Sequence, residues 1–146
     1  MYRKILVPLD GSVRAEKILP HVEEMALKYG SKVILLQVVE PIVMVSSADI
    51  YVPISEPFTA KMEQARAYLN DIRKRFQEKK IEADTRVASS RIVDAICETA
   101  ESEKADLIAM ASHGRTGAAR VFYGSVAAGV LHCIDRPLLI IRSQGV

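Results

Sequence analysis

The chain has 146 residues, 49% of them hydrophobic and 26% charged, which is typical of one domain, residues 1–146, with a sizeable core. Its net charge of +2 argues against a nucleic-acid partner, since such proteins concentrate basic residues on one face. The opening MYRKILVPLD lacks a signal-peptide core, and no apolar run approaches the roughly 18 residues of a membrane helix. We therefore expect a cytoplasmic protein without a membrane partner.

Apolar segments alternate with amphipathic ones along the chain. The predicted strands are Lys4–Asp10, Lys32–Glu40, Glu82–Ala88, Ala105–Ala111 and Leu138–Arg142. The predicted helices run from an N-cap at Ser12 to Tyr29, then over Thr59–Lys80, Ile92–Glu103 and Ser125–Ile134. Pro20 should kink the first helix or delay its start, and residues 41–57 are predicted to be a loop. The alternation predicts an α/β fold: one doubly wound, Rossmann-like domain whose five-stranded parallel sheet has helices on both faces.

The two cysteines, Cys97 and Cys133, are far apart in the sequence and lack CxxC spacing. Cys97 lies on the apolar stripe of its predicted helix, so we expect a reduced core thiol rather than a disulfide or a ligand. The three histidines are not spaced as metal ligands either, and no structural metal site is predicted.

The segment Ala105–Ser125 carries the clearest functional pattern. Its apolar strand ends in a loop that contains Gly114 and Gly117, and Gly124 and Ser125 then open an apolar helix. Glycines let backbone N–H groups approach an anion closely, and a helix N-terminus adds unpaired donors and a partial positive charge. This order of strand, glycine loop and helix start predicts a site for nucleotide phosphates.

A second polar turn follows the first strand, where Asp10 and Gly11 come directly after Leu9. In doubly wound sheets, ligands bind at the carboxyl ends of strands where the winding reverses. Asp10 therefore faces the glycine loop if the first and fourth strands are neighbours, and it could accept hydrogen bonds from a ribose or hold a cation beside phosphates. An Asx turn with Ser12 explains the same residue equally well, so both roles stay open.

Four segments resemble the universal stress protein family over nearly the whole chain: KILVPLDGS (Lys4–Ser12), ADLIAMASHGRTG (Ala105–Gly117), YGSVA (Tyr123–Ala127) and RPLLIIR (Arg136–Arg142). The nucleotide-binding branch of that family carries glycine, two residues, glycine, nine residues, glycine, and then serine or threonine. Gly114, Gly124 and Ser125 fit this spacing, whereas Ala111 occupies the first glycine position. Alanine is the smallest replacement, but its methyl group would crowd a ribose or phosphate.

The resemblance implies a site for ATP or a related adenine nucleotide, with Mg²⁺ held through Asp10. The residues that it implies at the nucleotide are Pro8, Asp10, Val38, Met110, Ala111, Gly114, Arg115, Gly117, Gly124, Ser125 and Val126. Val38 would meet the adenine through its backbone. Family members are commonly homodimers joined along the last strand, which implies self-pairing through Leu138–Arg142. An open apolar edge strand is an aggregation hazard, and this independently favours pairing.

Two functions remain open. The first is a stress-response regulatory homodimer that binds ATP without turning it over and is read by protein partners that the sequence does not identify. The second is a nucleotide-free interaction module that acts through dimer contacts, which Ala111 favours. A slow ATPase is a third, weaker hypothesis, because there is no GxxxxGK[ST] motif and His113 has no nearby carboxylate in the sequence. Ser125 lacks the GxSxG context of a nucleophile, so no catalytic residue is predicted.

Overall fold

The computed structural model describes residues 1–41, 55–112 and 124–143, with the side chains of the helix that begins at residue 55 described from residue 58 onward. The elements in chain order are β1 (Lys4–Leu9), α1 (Val13–Glu16), α2 (Leu19–Tyr29), β2 (Lys32–Val38), α3 (Ser55–Glu78), β3 (Ala83–Ala88), α4 (Ile92–Ser102), β4 (Leu107–Ala111), α5 (Gly124–Cys133) and β5 (Leu138–Ile141). The strands form one sheet in the order β3-β2-β1-β4-β5, with parallel pairing throughout. The predicted α/β fold class is confirmed.

Sequence signals at the helix ends account for most of the boundaries. The Ser12 hydroxyl accepts a hydrogen bond from the Ala15 N–H at 3.1 Å, which caps α1 as predicted. Gly30 ends α2 in the left-handed conformation, with a φ of 64°. Pro20 lies in the first turn of α2, so the predicted single helix is two helices, the second starting where proline is tolerated.

One predicted boundary is wrong at the start of α3. The loop predicted over residues 41–57 ends earlier, because the helix already begins at Ser55 rather than at Thr59. The sequence there is Ser-Glu-Pro, and proline within the first helical turn loses no intrahelical hydrogen bond. Residues 42–54 of that predicted loop lie outside the described part of the chain. Other element ends differ from their predicted positions by at most two residues.

Each face of the sheet has its own apolar core. The first face packs against α1, α2 and α3, and its fully buried side chains include Val7, Leu35, Leu69 and Phe76. The second face packs against α4 and α5, and Leu36, Ile96, Met110 and Val130 belong to its core. Among the described residues, no helix is both long and apolar enough to cross a membrane.

The prediction of a reduced, unpaired Cys97 is wrong. The structure pairs Cys97 of α4 with Cys133 at the end of α5, with Cα atoms 6.3 Å apart. Their 36-residue separation hides this, because α4 and α5 are crossover helices that pack side by side on the second face. The stripe position of Cys97 therefore meets a neighbouring helix rather than only the sheet.

Candidate functional site

The two sides of β1 are paired to different extents. The ladder to β2 runs over six residue pairs, from Lys4 to Leu9, whereas the ladder to β4 has only two, at Ile5 and Leu6. In the order β3-β2-β1-β4-β5, the boundary between β1 and β4 is where the winding reverses. The first and fourth strands are therefore neighbours, the condition under which the sequence places Asp10 at the same crevice as the fourth strand. A crevice opens between them toward their carboxyl ends.

Pro8 gives a local reason for this opening. The Asp106 N–H donates to the Lys4 carbonyl at 2.9 Å, so even-numbered residues of β1 direct their backbone groups toward β4. Pro8 is even-numbered and has no N–H, so the missing donor falls on the β4 side. Its β2 side keeps its pairing, with Leu36 as partner. Proline at this position ends the β1–β4 ladder and leaves the β1–β2 ladder intact.

A cavity of about 280 Å³ lies at this crevice. Its floor is apolar, because Leu36, Ile96 and Met110 of the second-face core line it. Its polar rim includes Asp10 and Ser125. Eight of the eleven residues expected at the site line this one cavity: Pro8, Asp10, Val38, Met110, Ala111, Gly124, Ser125 and Val126. Gly114, Arg115 and Gly117 lie outside the described residues, as does His113.

Asp10 makes the Asx turn that the sequence left open. Its carboxylate Oδ1 accepts a hydrogen bond from the Ser12 N–H at 2.8 Å, while the side chain stays exposed at the cavity rim. Gly11, with a φ of 84°, completes the turn in a conformation that favours glycine. Because a carboxylate has two oxygens and several lone pairs, the turn does not prevent Asp10 from accepting a further hydrogen bond.

Val38 brings backbone rather than side-chain chemistry to the cavity. The Lys32 N–H donates to the Arg3 carbonyl, so even-numbered residues of β2 direct their backbone groups toward β1. The β1–β2 ladder ends at the pair of Leu9 and Gln37, one residue before Val38. The Val38 carbonyl therefore points past the end of β1, into the region of the crevice. It is placed to accept a hydrogen bond from a flat, polar-edged ligand.

The start of α5 forms the opposite rim. Gly124 has a φ of 68°, a left-handed conformation that L side chains rarely adopt. The first N–H groups of an α-helix have no intrahelical partner, and the helix dipole adds a partial positive charge there. The residues that follow, Ser125 and Val126, also line the cavity. This rim can therefore hold an anion. Among the described residues that line the cavity, Asp10 is the one with a titratable side chain.

The sequence interpretation missed part of the apolar lining, including Leu36, Ile92 and Ile96. Ile92 and Ile96 are four residues apart on α4, a spacing that marks a shared helix face but not which end of the sheet it reaches. The Ile92 N–H donates to the Glu40 carboxylate at 3.1 Å, which caps α4 beside the cavity from the end of β2. That contact spans 52 residues, so no local pattern could have revealed it. Leu9, Ala15, Ser112 and Ala127 complete the lining.

The family relationship rests on both sequence and structure. The profile of the universal stress protein family matches residues 1–142. A universal stress protein of Methanocaldococcus jannaschii is 30% identical, over 97% of this chain and 83% of its own length. A second from the same organism is 28% identical over 99% and 97% of the two chains, and its solved structure superimposes with a TM-score of 0.86.

Two structures with ligands have the same fold at lower identity. A universal stress protein in complex with cAMP has a TM-score of 0.72 at 22% identity, over 98% of both chains. One from Archaeoglobus fulgidus in complex with dAMP has a TM-score of 0.69 at 20% identity, over 96% of this chain and 98% of its own. Sequence profile, relatives and fold agree, and this chain belongs to the universal stress protein family.

Proposed function

We propose that this protein is a cytoplasmic, ATP-binding regulatory homodimer of the stress response, which binds the nucleotide rather than turning it over. The observation that carries the proposal is the make-up of the cavity. An apolar floor suits a purine ring, and the start of α5 at the rim suits phosphates. Asp10 lies at the rim beside the end of β1, where its carboxylate would accept hydrogen bonds from the ribose hydroxyls.

The cavity residues fit a magnesium–adenine nucleotide. Adenine carries an exocyclic amino donor, which the Val38 carbonyl is oriented to accept. Bound Mg²⁺ would neutralise phosphate charge, and among the described lining residues the Asp10 carboxylate would be its ligand. The family members in complex with cAMP and dAMP, both adenine nucleotides, support this ligand class.

Calorimetry with ATP and Mg²⁺ on nucleotide-stripped protein tests the proposal. We expect saturable binding to the wild type and at least a tenfold loss, about 1.4 kcal/mol, in Gly124→Val. The matched control is Gly30→Val. Gly30 has a φ of 64°, close to that of Gly124, and a Cβ added to it meets nothing within 4 Å. It carries the same backbone strain away from the cavity, so it should bind ATP normally once folded.

The second candidate is a nucleotide-free interaction module, and Ala111 is the observation that favours it, because it lines the cavity where the family motif has glycine. Absence of heat and of thermal stabilisation at millimolar ATP would decide for that module. A slow ATPase requires a positioned water and charge stabilisation, whereas Asp10 alone is titratable among the described lining residues. Phosphate release near 1 per second, the low end of typical turnover, would contradict binding without turnover.

The dimer part of the proposal concerns the sheet edge. β5 is an edge strand, and the residues of β5 are half-buried. The Ile141 carbonyl accepts from the Ser112 N–H, so odd-numbered residues of β5 face β4 and Ile140 directs its backbone groups outward. The homodimer would pair this edge, within Leu138–Arg142, with a second copy.

Light scattering tests the dimer. The wild type should scatter as a dimer, and Ile140→Pro should give folded monomers, because it removes an outward donor and leaves the β4 ladder intact. Leu139→Pro is the contrasting variant, since it removes a donor toward β4 and should lower the stability of the fold itself. A monomeric wild type would rule the homodimer out.

A further inference from the structure

The helices α4 and α5 meet at two levels on the second face. At Gly129 an added Cβ would lie 2.7 Å from Val93 Cγ2, so the backbone of α5 runs directly against Val93. One turn further along both helices, Cys97 and Cys133 have Cα atoms 6.3 Å apart, inside the range that a disulfide spans. Residues four apart share one helix face, so both contacts belong to a single seam between two helices that run side by side.

The cysteine pair is chemically accessible, and the chain offers only one way to pair its cysteines. Cys133 is exposed and Cys97 is half-buried, so a reagent in solution reaches Cys133 first. The Cys133 Sγ lies 3.5 Å from the Val130 carbonyl oxygen, a position that the thiol of the reduced protein can occupy as a weak donor. The chain has only these two cysteines, so an intramolecular disulfide has one possible pairing.

The same seam leads to the cavity. Ile96, next to Cys97 in the chain, lines the cavity from α4, and the start of α5 forms its rim at Gly124. α5 has 10 residues and is therefore about 15 Å long. A covalent bond at its last residue fixes that end of the helix against α4, and the contact of Gly129 with Val93 one turn away limits how the rest of the helix can shift. The distance between the rim and the apolar floor of the cavity is thereby restricted.

We propose that Cys97 and Cys133 form a reversible redox site, oxidised by a low-molecular-weight disulfide such as oxidised glutathione, and that the disulfide raises the affinity of the cavity for adenine nucleotide. The second half of this proposal rests on the proposed function. The first half stands on the cysteine geometry alone.

The reaction is a thiol–disulfide exchange in two steps. The Cys133 thiolate attacks one sulfur of oxidised glutathione, forming a mixed disulfide and releasing one glutathione thiolate. The Cys97 thiolate then attacks the Cys133 sulfur, closing the protein disulfide and releasing the second glutathione. The two protons lost by the cysteines end on the two glutathione thiols. Two protein thiols are oxidised, and one glutathione disulfide is reduced to two thiols.

The direction of coupling follows from preorganisation. The structure that contains the open cavity is the one in which the two sulfurs are paired, so the disulfide holds α5 where the nucleotide needs it. The oxidised protein should bind ATP about fivefold more tightly than the reduced protein. By linkage, saturating ATP must favour disulfide formation by the same factor.

The redox half is tested without nucleotide. The full chain is equilibrated in buffers of varied oxidised and reduced glutathione, quenched in acid, alkylated and weighed by mass spectrometry. We expect the doubly alkylated species to give way to one that carries neither alkyl group nor glutathione. Cys97→Ser should stop at a glutathione adduct on Cys133. Persistent double alkylation at every ratio, or a glutathione adduct as the wild-type end product, would overturn the site.

The coupling half compares ATP affinities of the oxidised and reduced wild type by calorimetry. The double variant Cys97→Ser/Cys133→Ser should give one affinity in both buffers, close to that of the reduced wild type. Equal affinities for the two wild-type forms would overturn the coupling but leave ATP binding in place. If neither form binds ATP, the proposed function and the coupling both fail, and the glutathione experiment still decides whether the redox site exists.

Discussion

The longest helix of the first face and the two helices of the second face bury different kinds of side chains. On the first face, Leu69, Ile72 and Phe76 of α3 are almost completely removed from solvent. On the second face, three of the five buried residues of α4 and α5 are alanines: Ala95, Ala100 and Ala127. Small residues let two helices approach each other and leave space where the strands end. One face therefore supplies most of the close-packed apolar mass, while the other leaves room for a ligand.

The largest expected effect is on the first face. Phe76 is fully buried, so Phe76→Ala should lower the free energy of unfolding by about 3–5 kcal/mol. Leu27→Ala is the control, because Leu27 is 60% exposed and should change stability by less than about 0.5 kcal/mol. Urea unfolding measures both. If Phe76→Ala, once folded, lost ATP binding as well, the division of roles between the faces would be wrong.

The next largest effect is expected at the seam between α4 and α5 on the second face. An alanine at Gly129 would place its Cβ against Val93, whose χ1 is stiff in a helix and cannot easily turn away. Overpacking of this kind costs about 1–3 kcal/mol, which exceeds the gain of up to about 1 kcal/mol from replacing a helical glycine. We expect Gly129→Ala to be net destabilising by about 1 kcal/mol and to weaken ATP binding by shifting α5.

A second substitution should offset the destabilisation caused by Gly129→Ala. Val93→Ala removes both methyl groups that the new Cβ would meet, so the double variant Val93→Ala/Gly129→Ala should be more stable than the sum of the single changes allows. Strictly additive free energies of unfolding would show that α4 and α5 are not in close contact there.

A smaller effect is expected at Ala111, where the crevice joins the two faces. Ala111→Gly should keep ATP affinity or improve it by a few-fold, because removing the methyl group relieves crowding at the cavity. Glycine also weakens a strand by roughly 0.5–1 kcal/mol. Ala109→Gly, on the same strand but buried in the first-face core, is the control for that loss. Weaker ATP binding in Ala111→Gly alone would contradict the crowding argument.

The smallest effect concerns charges at the solvent edge of the second face. The Lys32 Nζ lies 2.8 Å from the Asp84 carboxylate, and this contact holds the pKa of Asp84 below its ordinary value. A lowered carboxyl pKa stabilises the fold above about pH 4, the ordinary range of aspartate, and the contribution is lost as pH falls through the lower, folded pKa. The thermal unfolding midpoint of Asp84→Asn should be slightly lower than that of the wild type at pH 7, and the two midpoints should be equal near pH 2. A difference that is independent of pH would exclude the ion pair as its cause.

Much of this architecture is visible in the sequence because its signals are local. Apolar runs predict the strands, Ser12 and Gly30 cap the predicted helix ends, and alternation predicts a parallel sheet. Pro8, near the end of β1, and Gly124, at the start of α5, are residue types whose effect on the backbone a one-dimensional pattern can reveal. The prediction fails where two distant elements meet. Neither the pairing of Cys97 with Cys133 nor the cavity contacts of α4 leave a periodic trace, since each depends on how crossover helices pack.

Pro8 has a kinetic consequence. A crevice that closed by strand pairing would have to break hydrogen bonds each time a ligand entered, and that step would slow association. Because Pro8 lacks the donor that would extend the β1–β4 ladder, the two strand ends have no such bond to exchange at that residue. At this residue, entry of a ligand therefore requires no strand hydrogen bond to break. The ring of one proline thus removes one step that would otherwise slow the entry of a ligand.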